Sequence, residues 1–227
     1  MNQQKYNHGY IIGISFISAL GGYLFGFDFA VIAGALPFLK QQFHFDEIQE
    51  GIATATLAIG CIAGCIIAGS LSDKHGRKRS LMLSASIFLV SSLAMAFSNS
   101  STTFITARFF AGVGVGMASV LSPMYIAEIA PAPMRGRLVA INQMTVVIGI
   151  FVTNLVNYSL RNEGHEAWRW MVGLGAVPSF LFLTGVLLLP ESPHWLIGQS
   201  KIDKARTILS RIGGGLDADT TAHSIKA

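Results

Sequence analysis

Charge is what this sequence has least of: Asp, Glu, Lys and Arg make up 12% of its 227 residues, against ~25% in an average soluble domain. A soluble domain of this length could bury a core, but sixteen basic and twelve acidic residues are too few to clothe it. An ordinary soluble enzyme is thereby excluded, and the 52% share of hydrophobic residues excludes disorder. Cysteine is almost absent. Cys61 and Cys65 lie four apart in an apolar run without His or carboxylate, so they read as two buried thiols on one helix face, not as a disulfide framework or metal site. No dinucleotide loop is present either, because Gly112, Gly114 and Gly116 fail the G-x-G-x-x-G pattern at Met117 and sit in an apolar run with no strand before it.

What the chain does have is long apolar runs, with a mean hydropathy of +0.53. Six are long enough to cross a bilayer: Tyr10–Phe38, Gly51–Leu71, Ser80–Phe97, Phe104–Ile126, Leu138–Leu160 and Trp170–Pro190. Four contain no charged residue; the first holds only Asp28 and the fourth only Arg108. The first run holds an acid and lacks a basic leader and a small-residue cleavage site, so it reads as a retained membrane helix and not a signal peptide. The expected fold class is an all-α membrane protein with six transmembrane helices.

When alternate loops are assigned to opposite sides, twelve of the sixteen basic residues fall on the side of both termini and three, Lys40, Arg161 and Arg169, on the other. Both termini are therefore predicted cytoplasmic, in a multi-pass protein of the cell (inner) membrane. Basic residues in KHGRKRS serve topology between two spans and give no case for nucleic acid. The predicted organisation is a cytoplasmic tail over 1–9, a six-helix bundle over 10–196, a cytoplasmic amphipathic helix over 197–215 and a disordered tail over 216–227.

Charges deep in a bilayer are costly, so Asp28 and Arg108 stand out. At 1.5 Å per residue, Asp28 lies ~15 Å and Arg108 ~6 Å below the same membrane face, a gap that a long arginine side chain can largely bridge. A proton-carrying carboxylate tuned by a cation fits this pattern, and so does an ion pair that only joins two helices. In the fifth run, Asn142, Gln143, Asn154 and Asn157 are neutral amides that donate and accept, as a polyhydroxylated neutral solute requires, although interhelical bonding uses the same groups. Gln143 and Val146 share a helix face, and Phe25, one turn before Asp28, can offer a platform to a sugar ring. The glycine pairs Gly22/Gly26, Gly60/Gly64 and Gly112/Gly116 are each four apart, the spacing of closely packed membrane helices.

Several linked motifs then resemble the major facilitator superfamily. GSLSDKHGRKR (Gly69–Arg79) is similar to its loop between the second and third helices. RFFAGVGVGMASVLSPMYIAEIAPAPMRGRL (Arg108–Leu138), WRWM (Trp168–Met171), PESPHWL (Pro190–Leu196) and GGYLFGFDFAVIAGAL (Gly21–Leu36) resemble the sugar porters within it, in particular bacterial xylose–proton and related monosaccharide–proton symporters. The resemblance implies two inverted three-helix units, of which the sequence keeps only an echo: glycine-rich first and fourth helices each ending at a proline, Pro37 and Pro123. It also implies alternating-access sugar transport, with no enzymatic reaction, cofactor or metal.

By the same resemblance Asp28 takes the proton and Arg108 tunes it, while Phe25, Gln143 and Val146 meet the sugar. Gly69, Asp73, Gly76, Arg77, Glu128, Arg135 and Glu191 form a cytoplasmic clamp that holds one conformer. His194 departs from the family, which has Arg there, and would make one cytoplasmic ion pair weaker and sensitive to pH. Only the N-terminal half of the family is covered. The expected partners are a monosaccharide, a proton, the lipid bilayer, and a second six-helix half or a second copy of this chain. The alternatives are an uncoupled facilitator of a sugar or other small solute, and a half without transport activity of its own.

Overall fold

The computed structural model describes residues 6–213, and among these the chain is all helix and connecting turn. The helices are α1 (His8–Phe43), α2 (Glu47–His75), α3 (Arg77–Ala96), α4 (Ser101–Ile129), α5 (Arg135–Leu160), α6 (Ala167–Gly173), α7 (Ala176–Leu188), α8 (Pro193–Gly198) and α9 (Ile202–Gly213). Six spans are long and apolar enough to cross a membrane, with α6 and α7 together making the sixth. The tail expected over 216–227 lies outside the described residues, as do residues 1–5 of the first tail.

The helices overrun the apolar stretches because polar caps continue them past hydrocarbon. With 36 residues, α1 is ~54 Å long, beyond a ~30 Å hydrocarbon core. It ends where His44 turns left-handed at φ 52°. A capping box starts α2: Asp46 accepts from the Gln49 N–H at 2.7 Å, and the Gln49 side chain accepts from the Asp46 N–H at 3.3 Å. Ser100 and Ser192 cap α4 and α8 with one bond each, accepting from the N–H groups of Thr103 and Trp195. Between α2 and α3 stands Gly76 alone, at φ 95° and ψ 161°, a region open essentially to glycine only.

One expectation is corrected. Pro37 and Pro123 do not end their helices but lie inside α1 and α4, as membrane helices allow when neighbouring groups satisfy the freed carbonyl. The sixth span is not continuous: it breaks at Leu174 and Gly175 between α6 and α7. Pro178 lacks the N–H that would bond residue 174, and Ser92 Oγ donates to the Val172 carbonyl at 2.7 Å from α3. A Cβ at Gly175 would press on Phe27 and Ser92, so glycine is needed where the broken helix meets α1 and α3.

Packing follows an inverted repeat. α1 lies along α5 as α4 lies along α2, and α4 meets α3 as α1 meets the sixth span. The tight seams are the glycine pairs. A Cβ at Gly60 or Gly64 would strike the carbonyls of Phe109 or Val113 in α4, and one at Gly112 or Gly116 those of Leu57 or Cys61 in α2. On the other seam, Gly22 and Gly26 face the carbonyls of Asn142 and Val146, and Gly149 faces that of Tyr23.

The outside of the bundle is apolar, unlike that of a soluble fold, and inside an apolar core that includes Leu24, Phe88, Phe104 and Trp168 small hydroxyls are buried as well. Ile59, Ile62, Ile66, Phe151 and Leu188 are exposed, whereas Ser18, Ser84, Ser92, Ser122, Thr145 and Thr153 are buried. The small hydroxyls join helices: Ser84 donates to Gly114 O at 2.7 Å, Thr145 to Ala19 O at 2.7 Å and Ser18 to Ser122 O at 3.2 Å. Apolar side chains outside and bonded polar ones inside are what hydrocarbon solvent selects.

Candidate functional site

At the middle of the bundle α1 and α4 meet through Asp28 and Arg108, whose side chains are 1% and 0% exposed. Arg108 Nη1 donates to Asp28 Oδ1 at 2.7 Å, and Nη2 donates to the Asp28 backbone oxygen at 3.1 Å. Among the described residues Asp28 Oδ2 and Arg108 Nε have no hydrogen-bond partner. The pair is thus single-stranded at the carboxylate: one oxygen is held by the cation and the other is unbonded. One glycine lies on this α1–α4 contact: a Cβ at Gly21 would strike Ser122 Oγ, whereas Gly22 and Gly26 pack α1 on α5 and Gly112 and Gly116 pack α4 on α2.

The amides of α5 divide. Asn142 and Asn157 are buried toward α1, where Asn157 Nδ2 donates to Ala30 O at 3.2 Å and both Oδ1 atoms are unpaired. Gln143 and Asn154 are exposed, and Asn154 returns its amide to Ile150 O at 2.8 Å. Gln143 makes no hydrogen bond among the described residues. Val146 is half-buried with its carbonyl against Gly26, which sets this turn of α5 beside the turn of α1 that precedes Asp28. Phe25 is half-buried and stacks with exposed Phe29 at 6.5 Å and 7°.

Both described ends meet at one end of the bundle, where the Asn7 N–H donates to Ile212 O at 2.9 Å. Here Arg77 Nε donates to Glu128 Oε1 at 3.1 Å and Oε2 at 3.2 Å, and its Nη1 donates to Ser72 O and Asp73 Oδ1, both at 3.0 Å. Asp73 is largely exposed (73%), so its pairing with Arg77 is screened by water, while Glu128 is 15% exposed and less screened. Glu191 Oε1 accepts from the N–H groups of Lys78 and Ser192, each at 3.0 Å. A carboxylate at the first turn of α3 satisfies orphan donors and complements the helix dipole. The same carboxylate would be struck by a Cβ at Gly76. Gly69 faces open space, and Arg135 is exposed and outside the Arg77–Glu128 pair.

His194 makes no ion pair among the described residues. Burial lowers its pKa, Glu128 pulls it up, and Arg135 and Arg77 push it down. The net direction is downward, so neutral imidazole is favoured beside the Arg77–Glu128 pair.

Several contributions were not visible in the sequence. Arg169, counted only as a loop charge, donates to Ala96 O at 2.9 Å, Ser98 O at 2.7 Å and Asn99 Oδ1 at 3.1 Å, and its guanidinium lies over Trp168 at 4.6 Å. It ties the α3–α4 turn to α6. Tyr125 OH donates to Pro190 O at 2.7 Å, and Trp195 Nε1 to Asp73 O at 2.8 Å. The aromatic and basic residues of WRWM and PESPHWL were the available signals, but their backbone partners carry no side-chain signature.

Residues 14–227 match the family model described as "Sugar (and other) transporter". The chain is 40% identical over 217 residues to the arabinose-proton symporter of Bacillus subtilis (strain 168), covering 93% of this chain and 47% of that one. It is 41% identical over 196 residues to the D-xylose transporter of Levilactobacillus brevis, covering 86% and 43%. The structure of the proton:xylose symporter XylE bound to 6-bromo-6-deoxy-D-glucose superposes with a TM-score of 0.93 at 35% identity, over 97% of this chain and 53% of that chain. The chain spans about half the length of the curated relatives it matches. Its six spans, inverted helix packing and family match together make it a member of the sugar transporter family of the major facilitator superfamily.

Proposed function

We propose that this chain is the N-terminal half of a monosaccharide–proton symporter working by alternating access, with Asp28 as the proton carrier and Arg108 as the cation that tunes it. The observation that carries this reading is the Asp28 carboxylate, buried in the bundle with Oδ1 on Arg108 and Oδ2 unbonded. A pair kept only to join helices would gain from the bidentate fit of guanidinium to carboxylate. One free oxygen instead leaves a place for a proton without breaking the bond to Arg108. The arabinose-proton symporter among the relatives supports the proton as the coupled ion.

On this reading Gln143, Phe25 and Val146 form one wall of the sugar site. Exposed Gln143 offers a donor and an acceptor to sugar hydroxyls. The opposite wall comes from a second six-helix half or a second copy of the chain. The clamp is Gly69, Asp73, Gly76, Arg77, Glu128, Arg135 and Glu191, facing the cytoplasm of the cell (inner) membrane with both termini on that side. Arg77–Glu128 is its central pair, which stabilises one conformer and opens in the other. The exposure of Gln143 on a single half also favours a second reading, in which the chain alone binds no sugar and transports nothing.

The test is uptake of labelled pentoses and hexoses in transporter-deficient cells expressing the chain alone or with a separately encoded second half, with and without a proton gradient. Gradient-driven accumulation is expected when both halves are present. Asp28→Asn is expected to abolish accumulation and to spare exchange. Accumulation that survives in Asp28→Asn overturns the proton assignment, and absence of uptake from two correctly inserted halves overturns the transport reading.

A further inference from the structure

Away from the Asp28–Arg108 site, the first turn of α3, the end of α7, α8 and α9 enclose a cavity of ≈ 760 Å³. Five permanently positive side chains line it, Lys78, Arg79, Lys201, Lys204 and Arg211, against one carboxylate, Glu191. That carboxylate is already engaged by the N–H groups of Lys78 and Ser192. Among the described residues no acidic side chain pairs with Arg79, Lys204 or Arg211. Lys78 Nζ donates to Leu187 O at 2.7 Å, and Lys201 Nζ lies 5.1 Å from the centre of the Trp195 ring. Lys201, Lys204, Ile208 and Arg211 recur at spacings of three and four, so one side of α9 faces the cavity.

The lining is not only basic. Met82, Leu189, Trp195 and Ile208 contribute apolar surface. Leu187 also lines it and is 51% exposed, and its neighbour Leu188 is 82% exposed on the apolar outside of the sixth span. Cations of the basic end and hydrocarbon-facing side chains therefore share one mouth. A soluble phosphate would use the cations and leave the apolar surface wet. A molecule with an anionic head and an apolar tail uses both.

We propose that this cavity binds the phosphate headgroup of an anionic phospholipid in the leaflet at the basic end, with its acyl chains running along Leu187 and Leu188. Lys204, Arg79 and Arg211 supply the charge that selects an anionic over a zwitterionic headgroup, and α9 holds two of these cations at the membrane surface. The site rests on the membrane-spanning fold and not on sugar transport, so it stands or fails independently of the proposed symport.

The test is native mass spectrometry of the full chain in mild detergent, titrated with phosphatidylglycerol or phosphatidylcholine. Wild type is expected to prefer phosphatidylglycerol, and R79Q/K204Q/R211Q to bind it about a hundredfold more weakly. K74Q/R137Q, at the same end but outside the cavity, should retain wild-type affinity. If the triple variant fails to insert, K204Q alone, at an exposed position of α9, should weaken binding about fivefold. Equal weakening in the cavity variants and K74Q/R137Q, or none in either, overturns the site. Displacement of the lipid by inorganic phosphate or glycerol phosphate at equal concentration overturns the lipid and assigns a soluble phosphate in its place.

Discussion

Arg108 without Asp28 would be a lone charge inside the bundle, since each is at most 1% exposed, whereas Asp28 without Arg108 can take up a proton. Removing one partner of such a pair costs ~3–5 kcal/mol, whereas replacing both with apolar groups is often close to neutral. Asp28→Leu, which strands the arginine, is therefore expected to lower stability in mild detergent far more than Asp28→Leu combined with Arg108→Leu. Thermal unfolding of the two single variants and the double variant measures the coupling. Gly76 is the second sensitive residue: at φ 95° with Glu191 against its missing Cβ, Gly76→Ala should destabilise by ~1–3 kcal/mol and disturb the cap that Glu191 places on α3. His194 adds a pH dependence. Its pKa is depressed in the folded state, so the unfolded chain binds more protons as pH falls through the ordinary histidine range near ~6.5, and stability is lost there. Melting temperatures between pH 7.5 and 5.5 should fall in wild type, and part of that fall should be missing in His194→Gln.

The elements respond where backbones touch. Gly112→Leu would drive a side chain into the Leu57 carbonyl and the Gly60 Cα, forcing α2 and α4 apart, and should prevent a stable fold in detergent. Gly51→Ala and Gly136→Ala meet nothing within 4 Å and should be neutral or stabilising by up to ~1 kcal/mol. Size-exclusion profiles and melting curves of the three variants check the contrast. The glycine pairs were legible as packing because small residues at a spacing of four have one common use in membranes. The break in the sixth span was not, although Gly173, Gly175 and Pro178 marked it. Hydropathy responds to the solvent around a helix and is blind to a lost N–H within it.

At the scale of the whole molecule, six apolar runs and a skewed distribution of basic residues made the membrane fold legible, because hydrocarbon imposes its composition along entire elements. Asp28 and Arg108 were legible for the same reason: a charge in an apolar run has few reasons to be there. The division of the α5 amides was not, since Asn142 and Gln143 are adjacent and only the position of α1 decides which is buried. Gln143→Ala, in the assembled two-half protein, is expected to raise the sugar concentration for half-maximal uptake about tenfold, the worth of one hydrogen bond, without changing co-purification of the halves. Pull-down and concentration-dependent uptake separate those effects.

The glycine seams also limit how the bundle can slide. Gly60 and Gly64 face Gly112 and Gly116, so both surfaces carry notches one helical turn apart. Sliding α2 along α4 by less than the four-residue spacing of the notches, about 6 Å, drives carbonyl oxygens into α-carbons. At these glycines no side chain stands between the backbones, and Cys65 in the next turn donates to the Gly116 carbonyl at 3.4 Å. α2 with α4, and α1 with α5, therefore behave as two locked bars, and compliance is left to the contact where α1 crosses α4, held by Asp28–Arg108 and Ser18–Ser122.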